Sequence, residues 1–308
     1  MKKIVWFLLL TISSHASAEY YNGSSFNGVW DILTETPYSD LPQKKVTFGS
    51  FFSRGINLLQ KSSKRTVSNK NDILPHFNKL LHPNGVCLSG EWNIQKENEY
   101  SGFFKKGSKG LIIARASTTL SNTKAGSYRG FGLAGKIFPT NNQNSTVKTA
   151  NFFLIDNLVG TYAKNFTRVD LTNQPGLFPP FSFSIPFLIP VGIAASKALS
   201  AADINPGIRQ VYSISQLGEN LSSNIKTPKW MKFRGVENET ISNRKDFREE
   251  LMEHILIGNK LTFKISVASE IGEKEKKWKD IGEVIFTDSI ASEGCDHRLH
   301  FHHDKFKK

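Results

Sequence analysis

Four short stretches of this chain carry side chains able to do chemistry, and they follow one another in order. The first, Lys79-Leu80-Leu81-His82-Pro83-Asn84-Gly85, places a single histidine just ahead of Val86, where an alternating pattern begins. Next come Arg115 and Ser117 in Ala114-Arg115-Ala116-Ser117, then Arg129 in Arg129-Gly130-Phe131, then Lys148 and Phe153 in Lys148-Thr149-Ala150-Asn151-Phe152-Phe153. Histidine is the side chain whose ordinary pKa lies nearest neutrality, so an imidazole can do general acid and base work. The bland reading of His82 is that it ends a helix before Pro83 and Gly85. Arg115, Ser117 and Arg129 have the same alternative, as parts of a scaffold.

The tail Cys295-Asp296-His297-Arg298-Leu299-His300-Phe301-His302-His303-Asp304 is a second candidate. On a strand, His300 and His302 share one face with Asp296 and Asp304 in the same register, and imidazole with carboxylate is a competent zinc or copper set. Surface or structural histidines explain the same residues, and no metal is assigned. His-Glu-x-x-His, Gly-x-Ser-x-Gly, a phosphate loop and a CxxC pair are all absent.

The elements that must position these residues are mostly strands. Ile73 to Leu81 reads as a short apolar helix stopped by Pro83 and Gly85. Beyond it the period turns to two: Val86, Leu88 and Trp92 alternate, and Leu111 to Ser117, Phe131 to Phe138 and Asn151 to Ile155 are short apolar runs between Gly, Asn, Ser and Thr clusters. The clearest strand is Lys260 to Val267, with Leu261, Phe263, Ile265 and Val267 on one side; Val284 with Phe286, and Leu299 with Phe301, repeat the arrangement. A helix capped by Ser242 or Asn243 puts Phe247, Leu251 and Ile255 on one face and ends at Gly258. Pro175 to Pro190 holds five of the chain's twelve prolines among four phenylalanines, too broken for a helix. It reads as a crossover on the core, with a cavity wall or a membrane-touching loop as alternatives.

Length and charge narrow the classes. Lys2 and Lys3, the apolar run Ile4 to Leu10 and Ala16-Ser17-Ala18 have the plan of a secretory signal peptide, predicting cleavage after residue 18 and a periplasmic or secreted protein. The run is far shorter than the ~20 residues of a membrane span, so no span is expected in the mature chain. The remaining 290 of 308 residues suffice for one large domain, and the net charge of +13 becomes +11. The basic residues are spread along the chain, which reads as a solvated surface with no nucleic-acid partner. Residues 19–72, polar and weakly periodic, read as an N-terminal arm, and residues 73–308 as the domain. In an oxidising compartment Cys87 and Cys295 are expected to form one bridge, two buried thiols being the alternative; closing so long a loop is worth on the order of 4 to 5 kcal/mol.

Taken in this order, the motifs from Lys79 to Asp156 resemble the barrel of haem catalases. The resemblance implies an α+β fold: an antiparallel β-barrel with flanking helices and an extended arm. It implies His82 as the distal acid and base beside a haem iron, Ser117 hydrogen-bonded to its other ring nitrogen, and Lys79, Arg115, Arg129, Lys148 and Phe153 as pocket support. The substrate class implied is hydrogen peroxide or an organic peroxide. The chain departs from the family at the places where catalysis needs it most. Lys79 stands where an arginine is usual, losing the bidentate fork. Lys148 stands where an asparagine is usual, and Asn151 comes three residues late, on the opposite face of a strand from position 148. The Arg-x-x-x-Tyr helix that supplies the iron's tyrosinate is not found, since Arg209-Gln210-Val211-Tyr212 is one residue short and strand-like. The rival expectation is therefore a non-catalytic module of the same fold that has lost the haem ligand and binds a small apolar ligand or a protein partner.

Overall fold

Alternation along the strands gives a sheet with one apolar face, and closing that sheet on itself hides the face inside a barrel. The computed structural model describes residues 25–44, 82–118, 131–140, 150–156, 166, 169–172, 228, 230–236, 246–268 and 278–299. The strands are β1 (Gly85–Ile94), β2 (Lys109–Thr118), β3 (Phe131–Pro139), β4 (Ala150–Asp156), β5 (Asp170–Thr172), β6 (Trp230–Gly235), β7 (Leu261–Ala268) and β8 (Lys279–Ile290). Each pairs antiparallel with the next, and β8 returns to β1, giving a closed barrel in sequence order. The expected antiparallel β-barrel is therefore present.

Its interior is filled by side chains. Val86, Leu88 and Trp92 of β1, Phe131 and Leu133 of β3, Phe152 of β4, Phe233 of β6, Phe263 of β7 and Phe286 of β8 are all buried in one cluster. Aromatic rings meet edge-on or tilted, as in Phe131 with Phe166 at 5.2 Å and Phe152 with Phe233 at 5.2 Å between centroids, arrangements that suit the ring quadrupole. The Trp92 indole donates to the Phe103 carbonyl at 2.8 Å, so its one polar atom is satisfied inside the core.

Among the described residues, two α-helices decorate the barrel. Helix α1 (Phe26–Thr34) starts at Ser25, whose hydroxyl accepts from the Gly28 N–H at 3.0 Å. It buries Val29 and Leu33 against the outside of the barrel, with Cys87, Ile113, Phe138, Cys295 and Leu299. Helix α2 (Phe247–Leu256) inserts Phe247, Leu251 and Ile255 into the main core, and Gly258 follows it in the left-handed region at φ +87°. Its cap differs from the expected Ser242 or Asn243: Asp246 accepts from the Arg248 N–H at 2.9 Å, while 242 and 243 lie outside the described residues. No helix among the described residues is long and apolar enough to cross a membrane.

The Cys87–Cys295 bridge is formed, with a Cα separation of 5.7 Å and 208 residues between its ends. Cys295 does not lie on a strand. The expected strand repeat at Leu299 and Phe301 lies, beyond Leu299, outside the described residues; the chain before it makes a single helical turn, Gly294–Arg298, against α1 and β1. The turn is what lets Cys295 and Asp296 both point at the barrel wall, which an extended strand cannot do for adjacent residues.

Candidate functional site

β1, β2 and β3 bring the predicted residues together on the outside of the barrel wall. Because Ala114, Ala116 and Leu133 face the core, the alternate positions Arg115, Ser117 and Gly132 face outward. Gly85 is the register partner of Ser117, and Ser117 that of Gly132. His82 enters this corner three residues before β1 begins and is buried.

The Ser117 Oγ lies 3.0 Å from His82 Nδ1 and 3.4 Å from the Gly132 carbonyl oxygen. A carbonyl only accepts, so a Ser117 hydroxyl that donates to it accepts from Nδ1–H, and this polarity assigns the lone pair to Nε2. Burial first, and then the positive charge of Arg115, push the His82 pKa down to about 3, so the imidazole is neutral throughout the physiological range. Gly132 is required by the closeness of the ring: a Cβ there would stand 2.9 Å from His82 Cε1.

Arg115 acts one layer behind the imidazole. Its Nη1 donates to the His82 carbonyl at 2.9 Å, and its Nη2 to the Pro83 carbonyl at 3.2 Å and to Asp296 Oδ1 at 2.6 Å. The guanidinium thus clamps the backbone that carries His82. Gly85 makes room for it, since a Cβ at that position would overlap the guanidinium. Asp296 also accepts from Tyr38 Oη at 3.3 Å and Lys44 Nζ at 3.5 Å, tying residues 38 and 44 to the same corner; Lys44 Nζ also touches His297 Nε2. Among the described residues, Arg115 Nε and Thr118 Oγ1 are buried without a hydrogen-bond partner, an uncommon cost in a folded interior.

Of the other candidates, Phe153 of β4 is the register partner of Ala134, and Asn151 that of Lys136. Lys79, Arg129, Lys148, His300 and His302 lie outside the described residues. Asp296, grouped with those histidines as a possible metal ligand, is instead the buried counter-ion of Arg115, and no group of three or more metal-ligating side chains occurs among the described residues. Two side chains escaped the sequence reading. Asp296 as counter-ion had no local signal: Cys87 is the register partner of Arg115, and it is the helical turn at the bridge that delivers the residue after Cys295 to Arg115. Lys136, buried on the outer face of β3 with its pKa lowered to about 8 by burial, had none.

The donor set fits one side of a haem site. A neutral imidazole oriented by a hydroxyl is what proton handling beside a bound peroxide needs. The iron side is not met among the described residues: burial, and then the Asp296 carboxylate, push the Tyr38 phenol pKa up, the opposite of what a tyrosinate ligand needs, and Tyr100 sits in the barrel core. Tyr212 lies outside the described residues.

Fold and site together define a closed antiparallel barrel bearing a buried, outward-facing histidine corner locked by a disulfide-anchored aspartate. Among solved structures, the chain is similar to a fungal catalase at 12% identity, covering 81% of this chain and 57% of that one with a TM-score of 0.36. It is similar to a bacterial catalase at 11% identity, covering 83% and 55% with a TM-score of 0.34. The chain thus spans somewhat over half the length of these catalases. No family model matches the sequence, and no curated protein matches it.

Proposed function

We propose that this is an exported, catalase-like haem-binding protein in which His82 handles the proton of a peroxide held beside it. The observation that carries the reading is the His82–Ser117 contact at 3.0 Å around an imidazole held neutral. His82 Nε2 takes the proton from one peroxide oxygen and returns it to the other, while Ser117 keeps Nδ1 protonated and Arg115 keeps the His82 backbone in place. Haem, when bound, would supply the redox chemistry of O–O cleavage, and no step here is assigned to it. Export is supported by the N-terminal segment and by a bridge of a kind that persists in oxidising compartments.

A second reading, a non-catalytic barrel module, is favoured by the protonated state of Tyr38 and by the aromatic filling of the barrel, which leaves a ligand only the outer surface. The two are separated by an absorption spectrum of protein purified from haem-supplemented cells, with and without His82→Ala. The first reading expects a Soret band in both forms and peroxide consumption only in the wild type. Absence of the band in both overturns it in favour of the module. Loss of the band only in the variant would make His82 an axial ligand and refute its role as a base.

A further inference from the structure

Cations that are far apart in the sequence meet on the outer face of the barrel beside β5, β6 and β8. On β6 the core takes Met231 and Phe233, so Lys232 and Arg234 point outward. Asp170 of β5 is the register partner of Arg234. Lys279 and Asp280 open β8 just after Trp278, and Lys96 is drawn alongside because its backbone N–H donates to the Ile281 carbonyl at 3.0 Å. These seven residues line a cleft of about 640 Å³.

Its electrostatics are lopsided: four cations face two carboxylates. Asp280 is already engaged, accepting from Ser266 Oγ at 2.6 Å and from Arg234 Nη2 at 3.4 Å. Among the described residues, no carboxylate lies within ion-pair distance of Lys96, Lys232 or Lys279. The Lys232 ammonium instead stands 4.7 Å from the centre of the Trp278 ring, a cation–π contact that fixes it at the cleft wall. A solvated basic face would spread such charges over convex surface. Here strand ends and a backbone hydrogen bond hold three ammonium groups with no ion pair among the described residues around one concavity beside an indole, Glu97 being the one further carboxylate that feels the Lys279 charge, and lysine is a point-charge binder of phosphate.

We propose that this cleft binds a phosphate monoester or diphosphate, the oxyanion held by Lys96, Lys232 and Lys279 and the organic part lying against Trp278. The test is calorimetric titration of the full, disulfide-intact chain at low ionic strength with inorganic pyrophosphate and with phenyl phosphate. One saturable site is expected, weakened about tenfold or more by Lys232→Glu and by Lys279→Glu. Trp278→Leu should weaken phenyl phosphate and leave pyrophosphate unchanged, and Lys109→Glu, an exposed change outside the cleft, should alter neither. Should Lys232→Glu fail to fold, Lys279→Gln at its exposed position is expected to weaken binding about threefold. Displacement of phenyl phosphate by phosphatidic acid vesicles would assign the site to a lipid headgroup, and failure to displace it to a soluble ester; both support the site. No saturable binding to the wild type, or an equal loss in Lys109→Glu, would show that only diffuse positive charge attracts the probe and would overturn the proposal.

Discussion

Asp296→Asn is the substitution that most directly tests how the histidine corner is held. Asp296 is 1% exposed and its Oδ1 lies 2.6 Å from Arg115 Nη2. At that separation the gross attraction between unit charges at an effective dielectric of about 20 is ~6 kcal/mol. Part of this offsets the desolvation of both ions, and removing one partner of a buried pair typically costs about 3 to 5 kcal/mol because the other charge is left uncompensated. Asparagine keeps the volume and an acceptor oxygen for Arg115, which places the expected loss near the lower end, about 3 kcal/mol. Since Arg115 also holds the His82 and Pro83 carbonyls, the loss should be accompanied by loosening of the site. The assay is urea unfolding at pH 7 with the disulfide intact, alongside NMR titration of the His82 imidazole. The wild-type ring should not titrate between pH 5 and 8; in the variant the bared Arg115 charge keeps it neutral, and the loosened clamp should shift and broaden its resonances. A double-mutant cycle with Arg115→Met should return a coupling of more than about 1 kcal/mol. A loss below about 1 kcal/mol with unchanged His82 resonances would refute the view that this pair positions the histidine.

Three further outcomes are expected. Gly132→Ala should destabilise the protein by about 1 to 3 kcal/mol and shift the His82 resonances, because the new methyl would stand 2.9 Å from Cε1; thermal melts and NMR check both. Reducing the Cys87–Cys295 bridge should lower stability by about 5 kcal/mol in the chain-entropy model, read as a fall in the urea midpoint that Cys87→Ala/Cys295→Ala reproduces. The His82 pKa, lowered from 6.5 to about 3 in the folded state, makes the unfolded chain bind the proton first. Its contribution to stability is therefore complete above pH 6.5 and falls with pH towards 3, by about 2 kcal/mol at pH 5; His82→Gln should flatten that part of the pH–stability curve.

Strand positions were legible wherever one face is buried, because period-two alternation follows from burying a single face of a pleated chain. Leu261, Phe263, Ile265 and Val267 illustrate this, and all four lie in the core. The α2 stripe Phe247, Leu251 and Ile255 was legible for the analogous reason at helical period, and its end at Gly258 because a left-handed residue favours glycine. Its start was misplaced, since Asp246, Ser242 and Asn243 are chemically equivalent caps and only the packing of Phe247 chooses between them. The helical turn at Gly294–Arg298 was missed because five residues are too few to show a helical period.

The sequence by itself marked a series of strands, left Cys87 and Cys295 as the one pair available for a bridge, and set His82, Arg115 and Ser117 one after another at strand-compatible spacing. Tertiary structure decided what those residues meet. Asp296 becomes the counter-ion of Arg115, the two being 181 residues apart, and Lys96, Lys232 and Lys279 become neighbours around one cleft. Local periodicity reports which face of an element is buried, because that depends on residues a few positions apart. Which charges share a site depends on strand register and barrel closure, set by the packing of the whole interior, and no local pattern encodes it.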